Sequence, residues 1–135
     1  MEAVMAWESW LERQPLKIRR LVGDVSELAL RLDMKFHTRM SYGVPFIYRA
    51  GPFCYFNTDK QGLYIGFFCG KWLLEKSELL EQDERKLIKL VHIQSAQRLV
   101  EIEDELTALF LLAIDMDQEK YGKKKIRRTS DDSFK

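Results

Sequence analysis

From Tyr42 to Phe68 the chain reads YGVPFIYRAGPFCYFNTDKQGLYIGFF, and the reading of this run decides the fold. It is dense in aromatic and β-branched residues and is cut by Gly43, Pro45, Gly51-Pro52, Gly62 and Gly66. Bulky flat side chains fit a pleated surface while Gly and Pro open turns, so the pattern predicts short antiparallel strands. Three are expected: Val44 to Tyr48, Phe53 to Asn57 and Leu63 to Phe68. Ala50-Gly51-Pro52 turns the first pair, and Thr58-Asp59-Lys60-Gln61-Gly62 turns the second. A fourth strand is expected over Arg85 to Ile93, where Leu87, Lys89, Val91 and Ile93 alternate with Ile88, Leu90 and His92.

Helices flank this meander. Ile18, Leu21, Val22, Val25, Leu28, Ala29 and Leu32 recur at steps of three and four, one apolar stripe, with Pro15 placed for the first helical position. Val4, Trp7, Trp10 and Leu11 predict a short helix before it. At the other end Leu99, Ile102, Leu106, Leu109, Phe110, Ala113 and Ile114 form a second long stripe. Glu101, Glu103, Asp104 and Glu105 are read as its first turns, where the helix dipole favours anions, and Gly122 as its stop. The connection from Lys71 to Asp83 is expected to carry a turn or two of helix. The order predicts an α+β, two-layer sandwich, with the N- and C-terminal helices packed on one face of an antiparallel sheet. A single domain over residues 1–121 and a basic, disordered tail over 122–135 are expected.

Length and charge bound the rest. A chain of 135 residues fits one domain. Two cysteines and two histidines cannot make a disulfide framework or a four-ligand zinc site without carboxylates. No apolar run approaches the roughly 20 residues of a membrane span, and Met1-Glu2-Ala3-Val4 lacks a secretory leader's basic and apolar regions. A cytoplasmic protein with no membrane association is therefore expected. The net charge of +1 hides a division: residues 1–72 carry +3, residues 73–119 carry −7 and residues 120–135 carry +5. A nucleic-acid role is not expected, because the basic tail comes without a groove-reading helix or RNA-binding aromatic signature.

The segments Met40-Ser41-Tyr42-Gly43-Val44-Pro45-Phe46-Ile47-Tyr48, Gly51-Pro52-Phe53-Cys54-Tyr55-Phe56-Asn57 and Gly62-Leu63-Tyr64-Ile65-Gly66-Phe67 resemble the YdhG-like family, small bacterial domains largely of unknown function. Trp10-Leu11 and Gln14-Pro15 look like that family's N-terminal region, so the resemblance spans roughly residues 7–116. It implies a frataxin-like sandwich. One branch of the family is described as iron chaperones for iron–sulfur cluster or haem assembly, so iron is the one cofactor the resemblance raises.

The residues themselves point elsewhere. Leu63, Ile65 and Phe67 oppose Tyr64, Gly66 and Phe68, while Phe53 and Tyr55 oppose Cys54 and Phe56, so both sides of these strands are apolar. An antiparallel sheet with one wet face should instead alternate apolar and polar. Two helices cover one face only, leaving the other to meet the chain around Trp72-Leu73-Leu74, a second copy, or a small molecule or protein. Tyr42, Pro45, Tyr48, Tyr55, Tyr64 and Phe68 are the candidate ligand or interface residues. Under the iron reading, Glu101, Asp104 and Glu105 are the candidate ligands, since Glu101 and Glu105 lie one helical turn apart. Glu75, Glu78, Glu81, Asp83 and Glu84 form a second acidic locus. His37 and His92 stand alone and are read as structural or surface residues; Cys54 and Cys69 are read as reduced, largely buried thiols whose relative face depends on the hairpin register. No nucleophile, phosphate loop or dinucleotide motif calls for catalysis.

Overall fold

Helical periodicity in the first third and strand periodicity in the middle both materialise. A computed structural model describes residues 6–134, with side chains described through residue 120. Two helices, α1 (Glu8–Glu12) and α2 (Leu16–Leu30), precede β1 (His37–Ser41), β2 (Val44–Tyr48), β3 (Pro52–Asp59) and β4 (Gly62–Phe67). A single-turn helix α3 (Gly70–Leu73), β5 (Lys89–Ile93) and the long helix α4 (Ala96–Phe134) follow. Val4 lies outside the described residues; α4 runs on through Gly122, so the expected stop is not made there, and the side chains of the expected tail over 122–135 lie outside the described ones.

The strands form one antiparallel meander in the order β1-β2-β3-β4-β5. On one face Ile47, Cys54, Phe56, Leu63, Ile65, Phe67, Val91 and Ile93 share a single core with Leu21, Val22 and Val25 of α2 and with Ile102, Leu106 and Phe110 of α4. Alternation along each strand puts every second residue there, and the helical stripes supply the other half. Phe110 packs its ring against Phe53 and Phe67, with centroids 6.3 and 5.1 Å apart. Fully burying each such side chain stabilises the fold by roughly 1.5–3 kcal/mol. The α+β sandwich with helices from both ends is thus as expected.

Five local features differ from expectation. First, β1 was not among the expected strands, and its sequence His37-Thr38-Arg39-Met40-Ser41 is polar. It is an edge strand, and a strand with one free edge and little burial needs no apolar alternation. It joins β2 through Tyr42-Gly43, whose φ angles of 52° and 76° suit the two-residue turn that matches strand twist. Trp7, fully buried, donates its indole N–H to the Arg39 carbonyl at 3.2 Å. Second, β5 starts at Lys89 and not at Arg85. Third, α4 begins at Ala96, where the Ser95 hydroxyl accepts the Arg98 N–H at 3.0 Å. Glu101, Asp104 and Glu105 therefore sit beyond the first turn, outside the reach of the helix-terminal dipole. Fourth, Pro15 is the residue before α2 and not its first. Fifth, Lys60 and Gln61 alone form the β3–β4 loop, so Asn57 pairs with Tyr64 and Cys54 with Phe67. A bulge between Ile47 and Tyr48 inserts Phe53, whose ring packs with Phe36, Phe67 and Phe110.

Candidate functional site: an aromatic face and its cleft

The sheet face turned away from the helices carries rings that pack sideways on one another. Phe46 is the centre. Its ring lies 5.5 Å from Tyr55, 5.6 Å from Phe68, 5.8 Å from Tyr48 and 6.0 Å from Tyr42. Tyr55 in turn meets Tyr64 at 6.0 Å, and Tyr64 meets His92 at 5.5 Å. At the β1 edge His37 lies beside Tyr48, and the Arg39 guanidinium sits 4.4 Å above the Tyr48 ring. Gly66 makes the centre possible: a Cβ there would fall 2.2 Å from the Tyr55 ring, which lies over it. Burial, then the neighbouring Tyr64 phenol, pushes the Tyr55 hydroxyl up to about 12. It stays protonated at any ordinary pH and can donate a hydrogen bond.

Of the residues singled out from the sequence, Tyr48, Tyr55 and Tyr64 stand on this face. Phe68 lies just past β4, its N–H donated to the Phe53 carbonyl at 3.1 Å, with its ring still against Phe46 and Tyr55. Tyr42 is at the turn, 95% exposed. Pro45 is different: it alternates with Phe46, pairs with Met40 and faces the opposite side of the strand. Phe46 was not on the candidate list, although its alternation with Pro45 and Ile47 marks it as the face's centre.

Phe68 also belongs to a cleft of about 320 Å³ at the end of this face. Pro52, Phe53, Cys69, Trp72 and Met116 supply apolar walls, and Asp117, Glu119 and Lys120 of α4 the polar side. Trp72 is 49% exposed, at the mouth. The Asp117 carboxylate is held from behind: Arg49 donates to it at 3.0 Å and to Asp33 at 3.0 Å, with the Arg49 side chain 3% exposed. Burial alone would lower the Arg49 pKa, but the hydrogen bonds and charges of the two carboxylates outweigh it and raise the net value. Burial raises the Asp33 pKa, and the Lys35 N–H and Arg49 more than reverse that. The tie joins the α2–β1 link, the β2–β3 turn and α4, and gives the cleft a fixed floor. Both thiols are free; burial holds Cys54 well above its ordinary value and Cys69 at about 11, so neither is an activated nucleophile.

At the opposite edge lies a cluster that sequence reasoning missed. His92 Nδ1 is 2.5 Å from Glu81 Oε2, and Nε2 is 2.7 Å from Asp59 Oδ2. The same Glu81 oxygen accepts the His92 backbone N–H at 3.1 Å. His92 stood alone in sequence, since its partners are 11 and 33 residues away. Strand alternation did place His92 on the face of Leu90, opposite Val91 and Ile93.

Glu101, Asp104 and Glu105 are all exposed, and Glu101 pairs with Arg98 at 3.7 Å. Among the described residues no group of three or more His, Cys, Asp or Glu side chains is set to hold a metal ion. No helix of the described residues is long and apolar enough to cross a membrane. No protein family, curated protein or solved structure matches the chain.

Proposed function

We propose that this chain is a cytoplasmic, non-enzymatic binding module of the YdhG-like, frataxin-like kind, which holds a small, largely apolar molecule against its aromatic face and in the adjoining cleft. One observation carries the reading: Phe68 belongs to both, touching Phe46 and Tyr55 on the face and lining the cleft. Concave, apolar, aromatic-walled space of this size with a few polar groups at one side is what small ligands use. Tyr hydroxyls add directional contacts to apolar area. Iron handling by exposed carboxylates draws no comparable support.

Trp72 supplies the test. Trp7 and Trp10 are buried, so Trp72 is the solvent-facing tryptophan of the three in the chain. Titration with the apolar fluorophore 1-anilinonaphthalene-8-sulfonate should give saturable energy transfer from Trp72, and Phe68→Ala should weaken it at least tenfold while the circular dichroism stays native. Native mass spectrometry of freshly purified protein should show a retained small molecule. A bare mass with no saturable transfer would defeat the reading. A ligand-free dimer that Tyr64→Ala dissociates would replace it with self-association through the same face.

A further inference from the structure

We propose that the segment from Glu81 to Leu87 is a strap beside the aromatic face whose Glu81 end is pinned by a protonated His92 and released when that ring loses its proton. A carboxylate only accepts hydrogen bonds, and a neutral imidazole has a single N–H. With one carboxylate at 2.5 Å from Nδ1 and another at 2.7 Å from Nε2, both ring nitrogens must carry protons. The ring is an imidazolium by geometry. Removing one proton turns a charge-assisted bond into a lone pair facing a carboxylate, and one partner must leave.

The softer partner is Glu81. Asp59 closes the two-residue β3–β4 hairpin, with its other oxygen accepting the Gln61 N–H at 2.8 Å. Glu81 sits in the long connection between α3 and β5. Its N–H is donated to the Leu90 carbonyl at 2.9 Å, so the strap's leading end is attached to β5 by this bond and by His92. Leu80, just upstream, is anchored in the core at 4% exposure. Further on, Lys89 Nζ donates to the Asp83 and Arg85 carbonyls at 3.2 and 2.5 Å, and the Leu87 carbonyl accepts the Lys71 N–H at 3.0 Å. These hold the far end, so opening is a local lift between Leu80 and the Lys89 contacts.

The strap lies beside groups that matter to the proposed site. Asp83 and Arg85 are near enough to act electrostatically on the Tyr55 phenol, and Arg85 is near enough to act on Tyr64. Leu90, on the face beside Gly66, is 2% exposed. The groups that face His92 are Asp59 from β3, Glu81 from the strap and the Tyr64 ring from β4, with Arg85 acting on Asp59. Burial of the ring favours its neutral form, but the hydrogen bonds and charges of Glu81 and Asp59 outweigh that and set the net value above the ordinary 6.5. With both carboxylates ionised, the pin is therefore closed below the ordinary 6.5 and opens as pH rises through the raised value.

The proposal rests on the aromatic face being a binding site for its biological meaning, but its test reads the strap alone and needs no ligand. Imidazole ¹⁵N spectra at neutral pH should show both His92 nitrogens protonated, titrating above 6.5. Amide protection at Glu81 and His92, corrected for the intrinsic pH dependence of exchange, should fall at least tenfold from one unit below that midpoint to one unit above. Phe56 and Ile65, in the centre of the β3–β4 ladder, should keep theirs. Glu81→Gln, which keeps an acceptor but loses the charge, should move the midpoint down and carry the loss of protection with it. A singly protonated ring at neutral pH, unchanged protection through the titration, or loss of strap and ladder protection together would each overturn the strap.

Discussion

Arg49 and His92 are each held between two carboxylates, at different corners of the sheet, and the chain uses the same arrangement for two ends. The Arg49 side chain is 3% exposed and its partners Asp33 and Asp117 are 15% and 7% exposed. The His92 ring is 9% exposed, but Asp59 and Glu81 are 41% and 39% exposed. A guanidinium keeps its proton at any pH a protein survives, so the first tie is permanent towards base and yields only when acid protonates its carboxylates. An imidazolium does not, and water reaches its partners, so the second is conditional. The permanent tie stands behind the cleft, where a floor must not move. The conditional one stands at a long connection that can.

The contrast breaks most sharply at Arg49. Arg49→Ala leaves Asp117 buried without its cation, and removing one partner of a buried pair costs about 3–5 kcal/mol. Urea unfolding at neutral pH measures it. A cost near zero would mean that water reaches Asp117 in the native state and that the tie is not structural. Acid probes the same tie more gently. Asp33 and Asp59 both have pKa values lowered from 3.8, so their contributions are present above that value and vanish as pH falls through the lowered ones. Arg49→Ala should flatten this acid limb, because Arg49 is part of what lowers Asp33, whereas His92→Ala should flatten only the share due to Asp59. Replacing His92 by Ala costs less, about 1 kcal/mol or below at neutral pH, since both its partners are solvated.

How legible these features were in the sequence follows from how local their causes are. The apolar stripe of α2 and the strand β2 were readable because periodicity depends on near neighbours: Ile18, Leu21, Val22, Val25 and Ala29 are all buried, and β2 has the expected bounds. Tyr48, Tyr55 and Tyr64 followed from the same alternation. Strand β1 was not legible, because an edge strand of His, Thr, Arg, Met and Ser buries too little to alternate. The Tyr42-Gly43 pair was its one signal, and Tyr in a left-handed turn is weaker than Asn there. The register at Asn57 turned on whether the loop takes two residues or more, which sets every facing pair at once. Arg49 precedes the Ala50-Gly51-Pro52 turn and carried no signal of its own. Its burial depends on Asp117, 68 residues on, which no local pattern announces. His92 is the same case at shorter range.

Asp59→Asn gives the smallest change in stability, less than about 1 kcal/mol at neutral pH, and the finest test of the comparison. Asp59 uses one oxygen for the Gln61 N–H and the other for His92 Nε2. An asparagine has one oxygen and one amide group. With its oxygen on the Gln61 N–H, its NH₂ faces Nε2 and donates to it. The ring then satisfies both neighbours while neutral, Nδ1–H to Glu81 and Nε2 accepting from the amide. The wild-type fold, with His92 raised above 6.5, holds this contribution in full below that value and loses it as pH rises through the raised one. In Asp59→Asn the alkaline loss should disappear, the His92 midpoint should fall, and Glu81 should keep its amide protection at high pH. Parallel urea titrations across neutral and mildly alkaline pH, with exchange at Glu81, decide it. An alkaline loss that survives the substitution would place its cause outside His92 and would leave Arg49 as the working tie of the two.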